Sequence, residues 1–145
     1  MSSLFTQALG VDFGTTSLSI SDGQRGTLLR EPSVAAISAV SGELLAVGEA
    51  ASTLIRQTPG EVVAMYPVSS GCILDYQVAR RMLKFFLRRM RKNRHMAYGA
   101  KVVMCARPGV GGSEKMAMEE AARYAGAKEV SLIEEPIAVG IGAGL

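Results

Sequence analysis

The amino-acid sequence predicts an α/β fold: a mixed sheet made of an antiparallel meander followed by β-α-β-α. Three features carry that prediction. Short apolar runs separated by turn residues fill the chain up to Tyr66, and beyond Gly71 the hydrophobic spacing changes to three and four residues. Lys101–Ala106 is then a near-continuous apolar run, suited to a strand buried on both faces of a parallel sheet. A chain of 145 residues is long enough to bury a real core, as one domain or as two small lobes sharing it.

Taken in order, Leu9–Phe13 and Leu18–Ser21 read as strands, and Asp22-Gly23 with Gly26 supplies turn chemistry before a third at Thr27–Arg30. Ser33–Ala39 follows Pro32, and Leu44–Val47 follows the Ser41-Gly42 turn. Glu49–Arg56 is a short helix ended by Thr58-Pro59-Gly60, Val62–Tyr66 is a strand, and Pro67–Gly71 reads as a loop. Val78, Met82, Phe85, Phe86 and Leu87 recur at helical spacing, which predicts an amphipathic helix from about Asp75 to Arg91 with both phenylalanines in the core. Asn93 to Gly99 reads as a loop. Pro108–Ser113 is a glycine-rich connection without the Gly-Lys-Ser/Thr of a P-loop, and Ser113 is placed to cap the next helix. Gly126 stops that helix, Glu129–Ile133 is a strand, and Glu134-Glu135-Pro136 opens a last helix with carboxylates at its positive end.

The totals narrow the function classes. Cys72 and Cys105 stand far apart beside a lone His95, so metal-ligand spacing is absent and reduced, buried thiols are expected. Neither a leader-like segment nor an apolar run of spanning length is present, so a cytoplasmic protein is expected. The net charge of +3 hides an uneven distribution: 8 cations and no acid fall between Arg80 and Arg94, leaving 8 cations against 13 acids elsewhere. Such a helix could lie on anionic lipid or nucleic acid. Its apolar face is needed for the core, so the cations read as solvated and nucleic acid is not expected as a partner. Met82, Met90, Met96, Met104, Met116 and Met118 read mostly as core filler.

The stretch GVDFGTTSLSI, residues 10–20, carries the chemistry. Asp12 lies between Val11 and Phe13, so it is expected to leave water among apolar neighbours, and an unpaired buried carboxylate is costly. Gly14 permits a turn or a close approach, while Thr15, Thr16 and Ser17 add hydroxyls and amide donors. A cation with phosphates satisfies both halves of this arrangement. An ordinary hairpin with a satisfied aspartate is the competing reading.

Together with EPSVAAI, AVGEAA, GCILDYQVARRMLKFF and LIEEPIAVGIGAGL, in this order and spacing, that stretch resembles the N-terminal half of the MreB family of bacterial actin-like proteins. The resemblance runs from about Leu9 to Leu145. It implies the first lobe of an actin-like (ribonuclease H-like) ATPase, with residues 1–32 and 67–145 as a larger subdomain and 33–66 as a small inserted one. It also implies a cytoskeletal role in rod cell shape, with ATP and magnesium as ligands. Asp12 matches the carboxylate that faces magnesium through water, which suits a hard cation. Gly14, Thr15, Thr16 and Ser17 match the loop under the phosphates, and Glu135 matches the residue that positions the attacking water.

Three departures bear on turnover. Ser17 stands where the family usually has Asn, Ser69-Ser70-Gly71 lacks a basic-Asp pair, and the proline of the Ala106–Gly111 loop falls one place later. The family's second phosphate hairpin and adenosine pocket are not matched, so the chain alone is not expected to hydrolyse ATP. The implied partners are further copies or a full-length actin-like protein, with Leu4 and Phe5 resembling a short membrane anchor. The alternatives are a non-catalytic module that binds or caps such filaments, and a truncated fragment that self-associates.

Overall fold

The computed structural model describes residues 8–92 and 100–144. Leu4, Phe5, His95, Met96 and the Asn93–Gly99 segment lie outside the described residues. The described residues open with three antiparallel strands, β1 (Ala8–Phe13), β2 (Ser17–Asp22) and β3 (Gly26–Pro32). A second sheet follows from β4 (Ala35–Ser38), β5 (Leu44–Val47) and β6 (Val62–Met65), with helix α1 (Gly48–Gln57) between its last two strands. Next come the short hairpin of β7 (Val68–Ser69) and β8 (Cys72–Ile73), then helix α2 (Tyr76–Lys92). Strand β9 (Lys101–Ala106), helix α3 (Gly112–Tyr124), strand β10 (Glu129–Glu134) and helix α4 (Glu135–Gly142) complete the order. The larger sheet runs β10-β9-β1-β2-β3, with β9 parallel to both β1 and β10.

Period-two alternation decides which face of that sheet is dry. Leu9, Val11, Leu18, Ile20, Val102 and Met104 all point to one side and are at most 2% exposed. They share a core with Met82, Leu83, Phe86, Leu87 and Met90 of α2 and with Ala121 and Ala122 of α3. Each large side chain buried there contributes about 1.5–3 kcal/mol relative to exposure. The opposite side carries Gly10, Asp12, Ser19, Ser21, Val103 and Cys105, all half-buried or exposed. The expectation that β9 is buried on both faces therefore needs correction. Its pairing is parallel, but Val103 and Cys105 are only half-buried.

Five further expectations change. Pro67–Gly71 contains strand β7 and leads into a two-residue turn, with Ser70 at φ 50° and Gly71 at φ 75° as a type I′ hairpin demands. Helix α3 starts two residues early, with Gly111 rather than Ser113 as N-cap, so Ser113 lies inside the first turn. Phe85 is 53% exposed while Phe86 is buried, because adjacent helix positions point about 100° apart. Met116 is likewise 63% exposed, unlike Met82, Met90, Met104 and Met118. Both cysteines are free thiols, but they are half-buried rather than buried, since Cys72 sits in a short hairpin and Cys105 on the open side of its sheet.

One carboxylate ties strand β3 to helices α1 and α2. The N-cap of α1 is Val47, which has no side-chain acceptor to offer. Glu31 of β3 takes that role from a distance: its Oε2 accepts the Glu49 amide at 2.8 Å, and its Oε1 accepts Arg89 Nη1 of α2 at 2.8 Å. A negative charge at a helix N-terminus and a charge-assisted bond to arginine both favour this arrangement.

Candidate functional site

Strands β1, β9 and β10 are parallel to one another, so their carboxyl ends fall along one edge of the sheet. In open α/β sheets that edge is where ligands gather. Asp12 lies at the end of β1, Cys105 at the end of β9, and Glu135 opens α4 directly after β10. The register pairs Val11 with Met104 and Ile133 with Cys105, which brings the three residues side by side across neighbouring strands. Their proximity shows in the thiol: burial first, and then the carboxylates of Asp12 and Glu135, push Cys105 above its ordinary value.

Asp12 is exposed, contrary to the expectation of a carboxylate withdrawn among apolar residues. The alternation that buries Val11 turns Asp12 to the open side of the sheet, so it keeps its hydration and needs no protein counter-charge. The loop after it is tight. Gly14 donates its amide to the Ser17 carbonyl at 2.9 Å, and a Cβ on Gly14 would stand 3.1 Å from that oxygen. Thr15 and Thr16 are exposed and Ser17 is half-buried. The Ser33 amide donates to the Thr16 carbonyl at 2.9 Å, which anchors the loop to the Glu31-Pro32-Ser33 segment.

A second anchor comes from the β7–β8 turn. The Ser70 amide donates to Thr15 Oγ1 at 2.9 Å, and Ser70 is the one non-glycine residue at positive φ among the described residues. Such conformations persist where surrounding contacts hold them. Arg107 lies on the other side of the turn, its stem so close that a Cβ on Gly71 would stand 2.9 Å from Cδ. Its guanidinium reaches Glu114 Oε2 at 3.4 Å. The turn thus sits between the hydroxyl loop and an arginine that stands where the family's proline is expected.

Cys105, Ser70 and Arg107 are the residues of this region that sequence reasoning did not assign to it. The signal for Cys105 was its place in the apolar run whose carboxyl end meets Asp12, and only strand order discloses the neighbourhood. Among the described residues, His, Cys, Asp and Glu form no cluster of three or more able to hold a metal by themselves. What the edge offers is hard oxygen: the carboxylates of Asp12 and Glu135 with the hydroxyls of Thr15 and Thr16. That donor set suits a magnesium ion that keeps most of its water and binds phosphate oxygens.

A mixed sheet with a hydroxyl loop between its first two strands and a carboxylate helix start at its carboxyl edge defines an actin-like lobe. Solved structures agree on the fold: MreB5 of Spiroplasma citri bound to ADP superposes with a TM-score of 0.83 at 28% identity, covering 97% of this chain and 42% of that one. A MamK double helical filament structure matches with a TM-score of 0.76 at 20% identity. The MreB/Mbl protein profile matches residues 6–145, and the chain belongs to that family. The cell shape-determining protein Mbl of Bacillus subtilis is 37% identical over 142 residues, and MreB of Escherichia coli is 38% identical over 146. In both cases the match covers 98% of this chain and 42% of the relative's length.

Proposed function

We propose that this chain is the first lobe of an MreB-type cytoskeletal ATPase that acts in rod cell shape, contributing one wall of a magnesium-ATP cleft. The two-subdomain division at residues 33–66 belongs to this reading. The observation that carries it is the grouping of Asp12, the Gly14–Ser17 loop and Glu135 at one sheet edge, in a family whose solved members include MreB5 bound to ADP and to AMPPNP. When bound, magnesium-ATP supplies the γ-phosphoryl group to be transferred. Asp12 would face the hydrated metal, and the Thr15 and Thr16 hydroxyls with neighbouring amides would supply donors for the phosphates. Glu135, at the start of α4, would orient a water by accepting its proton in a hydrogen bond.

A single wall leaves much of a nucleotide in water. Binding by this lobe is therefore weak, and turnover awaits the opposite wall. The lobe works in a filament of its own kind or with a full-length actin-like protein, on the cytoplasmic side. No described helix is long and apolar enough to cross a membrane. Calorimetric titration with magnesium-ATP, beside Asp12→Ala, tests the reading. Heat that disappears in the variant supports it; identical heats in both proteins, or ATP hydrolysis by the chain alone that is lost in Glu135→Ala, would contradict it.

A further inference from the structure

A groove of about 1120 Å³ lies between strand β5 and helix α2, and shares no residue with the Asp12–Glu135 cluster. One wall is cationic. Arg81, Lys84, Arg88, Arg89 and Lys92 all line it, and their spacing of three, four, one and three residues puts them on one stripe of α2 together with Phe85. Arg89 is engaged by Glu31, and Lys84 lies over the Tyr124 ring at 4.4 Å. Arg81, Arg88 and Lys92 form no ion pair with a carboxylate among the described residues.

The other wall is backbone. All four residues of β5, Leu44 to Val47, line the groove. Side chains of a strand alternate between faces, so four consecutive lining residues mean that the groove runs along an edge. Strand β5 is the outer member of the order β5-β4-β6, and its free edge offers amide and carbonyl groups without strand partners among the described residues. Such an edge pairs readily with another extended chain. Leu45 and Phe85, at 48% and 53% exposed, add apolar surface on the two walls.

We infer that this groove receives an extended acidic segment of a partner protein, which adds a strand to β5 and points alternate carboxylates at the α2 stripe. The two walls match in length: the stripe from Arg81 to Lys92 rises about 16 Å and four residues of strand span about 13 Å. A lipid surface would leave the concave backbone edge unpaired, and a nucleic acid would offer it no strand. Only a peptide backbone satisfies edge and charge together.

The test uses the whole chain and a fluorescein-labelled octapeptide of alternating glutamate and valine, followed by anisotropy. Binding is expected to weaken as salt rises, to fall about tenfold or more when alternate peptide amides are methylated, and to fall by a similar factor in Arg88→Glu/Lys92→Glu. Unfolding curves verify that the double variant is folded; should it not fold, the peptide series on the unaltered chain decides. Absent binding overturns the inference, as does a methylated or lysine-valine peptide that binds equally well. Tighter binding to a single-stranded oligonucleotide or to phosphatidylglycerol vesicles overturns it too.

Discussion

Replacing Gly48 by alanine measures how closely α1 is keyed to α2. Gly48 sits at φ 66°, where a side chain costs about 1–2 kcal/mol. Restriction of the unfolded chain by alanine returns about 0.4–1 kcal/mol. A Cβ on Gly48 would stand 2.7 Å from Phe86 Cζ and 2.8 Å from Glu31 Oε2. The Phe86 ring is 1% exposed and cannot retreat without disturbing the core, and Glu31 is held by Glu49 and Arg89. Overpacking of this kind costs about 1–3 kcal/mol. Gly42 separates the terms: it has φ 74°, but a Cβ added there would meet nothing within 4 Å, so its alanine variant carries the backbone part alone. Gly48→Ala should lose about 2–4 kcal/mol and Gly42→Ala about 1 or less. With a urea slope of about 2 kcal/mol/M, the first midpoint drops by about 1–2 M and the second by about 0.5 M or less. Equal drops in the two variants would refute the steric argument.

Three other outcomes follow from the site and its supports. Alkylation of Cys105 by iodoacetamide, read by peptide mass spectrometry, should need a higher pH than an ordinary exposed thiol does, and Glu135→Gln should lower its midpoint by removing a nearby negative charge. Because the folded value is raised, the stability held by the neutral thiol is intact below the unfolded value and is lost as pH climbs through the raised one. Glu31→Gln should destabilise the fold by about 1 kcal/mol, and a double-mutant cycle with half-exposed Arg89 should return a coupling of about 0.5–1 kcal/mol in chemical denaturation. Thr15→Val removes the acceptor of the Ser70 amide, so hydrogen exchange at Ser70 should quicken while global stability changes by less than about 1 kcal/mol.

Local pattern determined most of the architecture. Alternation and turn residues mark the first strands, helical spacing marks α2, and Pro136 after paired glutamates marks the start of α4, because these signals act between residues a few positions apart. The Asp12–Ser17 stretch stood out for the same reason, whereas Glu135 was singled out only through the family resemblance. Tertiary structure decided the rest. Asp12 faces outward because α2 and α3 pack on the face of the sheet that carries Val11, and alternation alone does not say which face they cover. Cys105 joins the carboxylates because β9 inserts between β1 and β10. Glu31 caps a helix 18 positions away from its own place in the chain. The cationic stripe gains a wall because β5 ends a sheet beside it. Contacts between distant segments depend on strand order and register, and no short window of sequence encodes either.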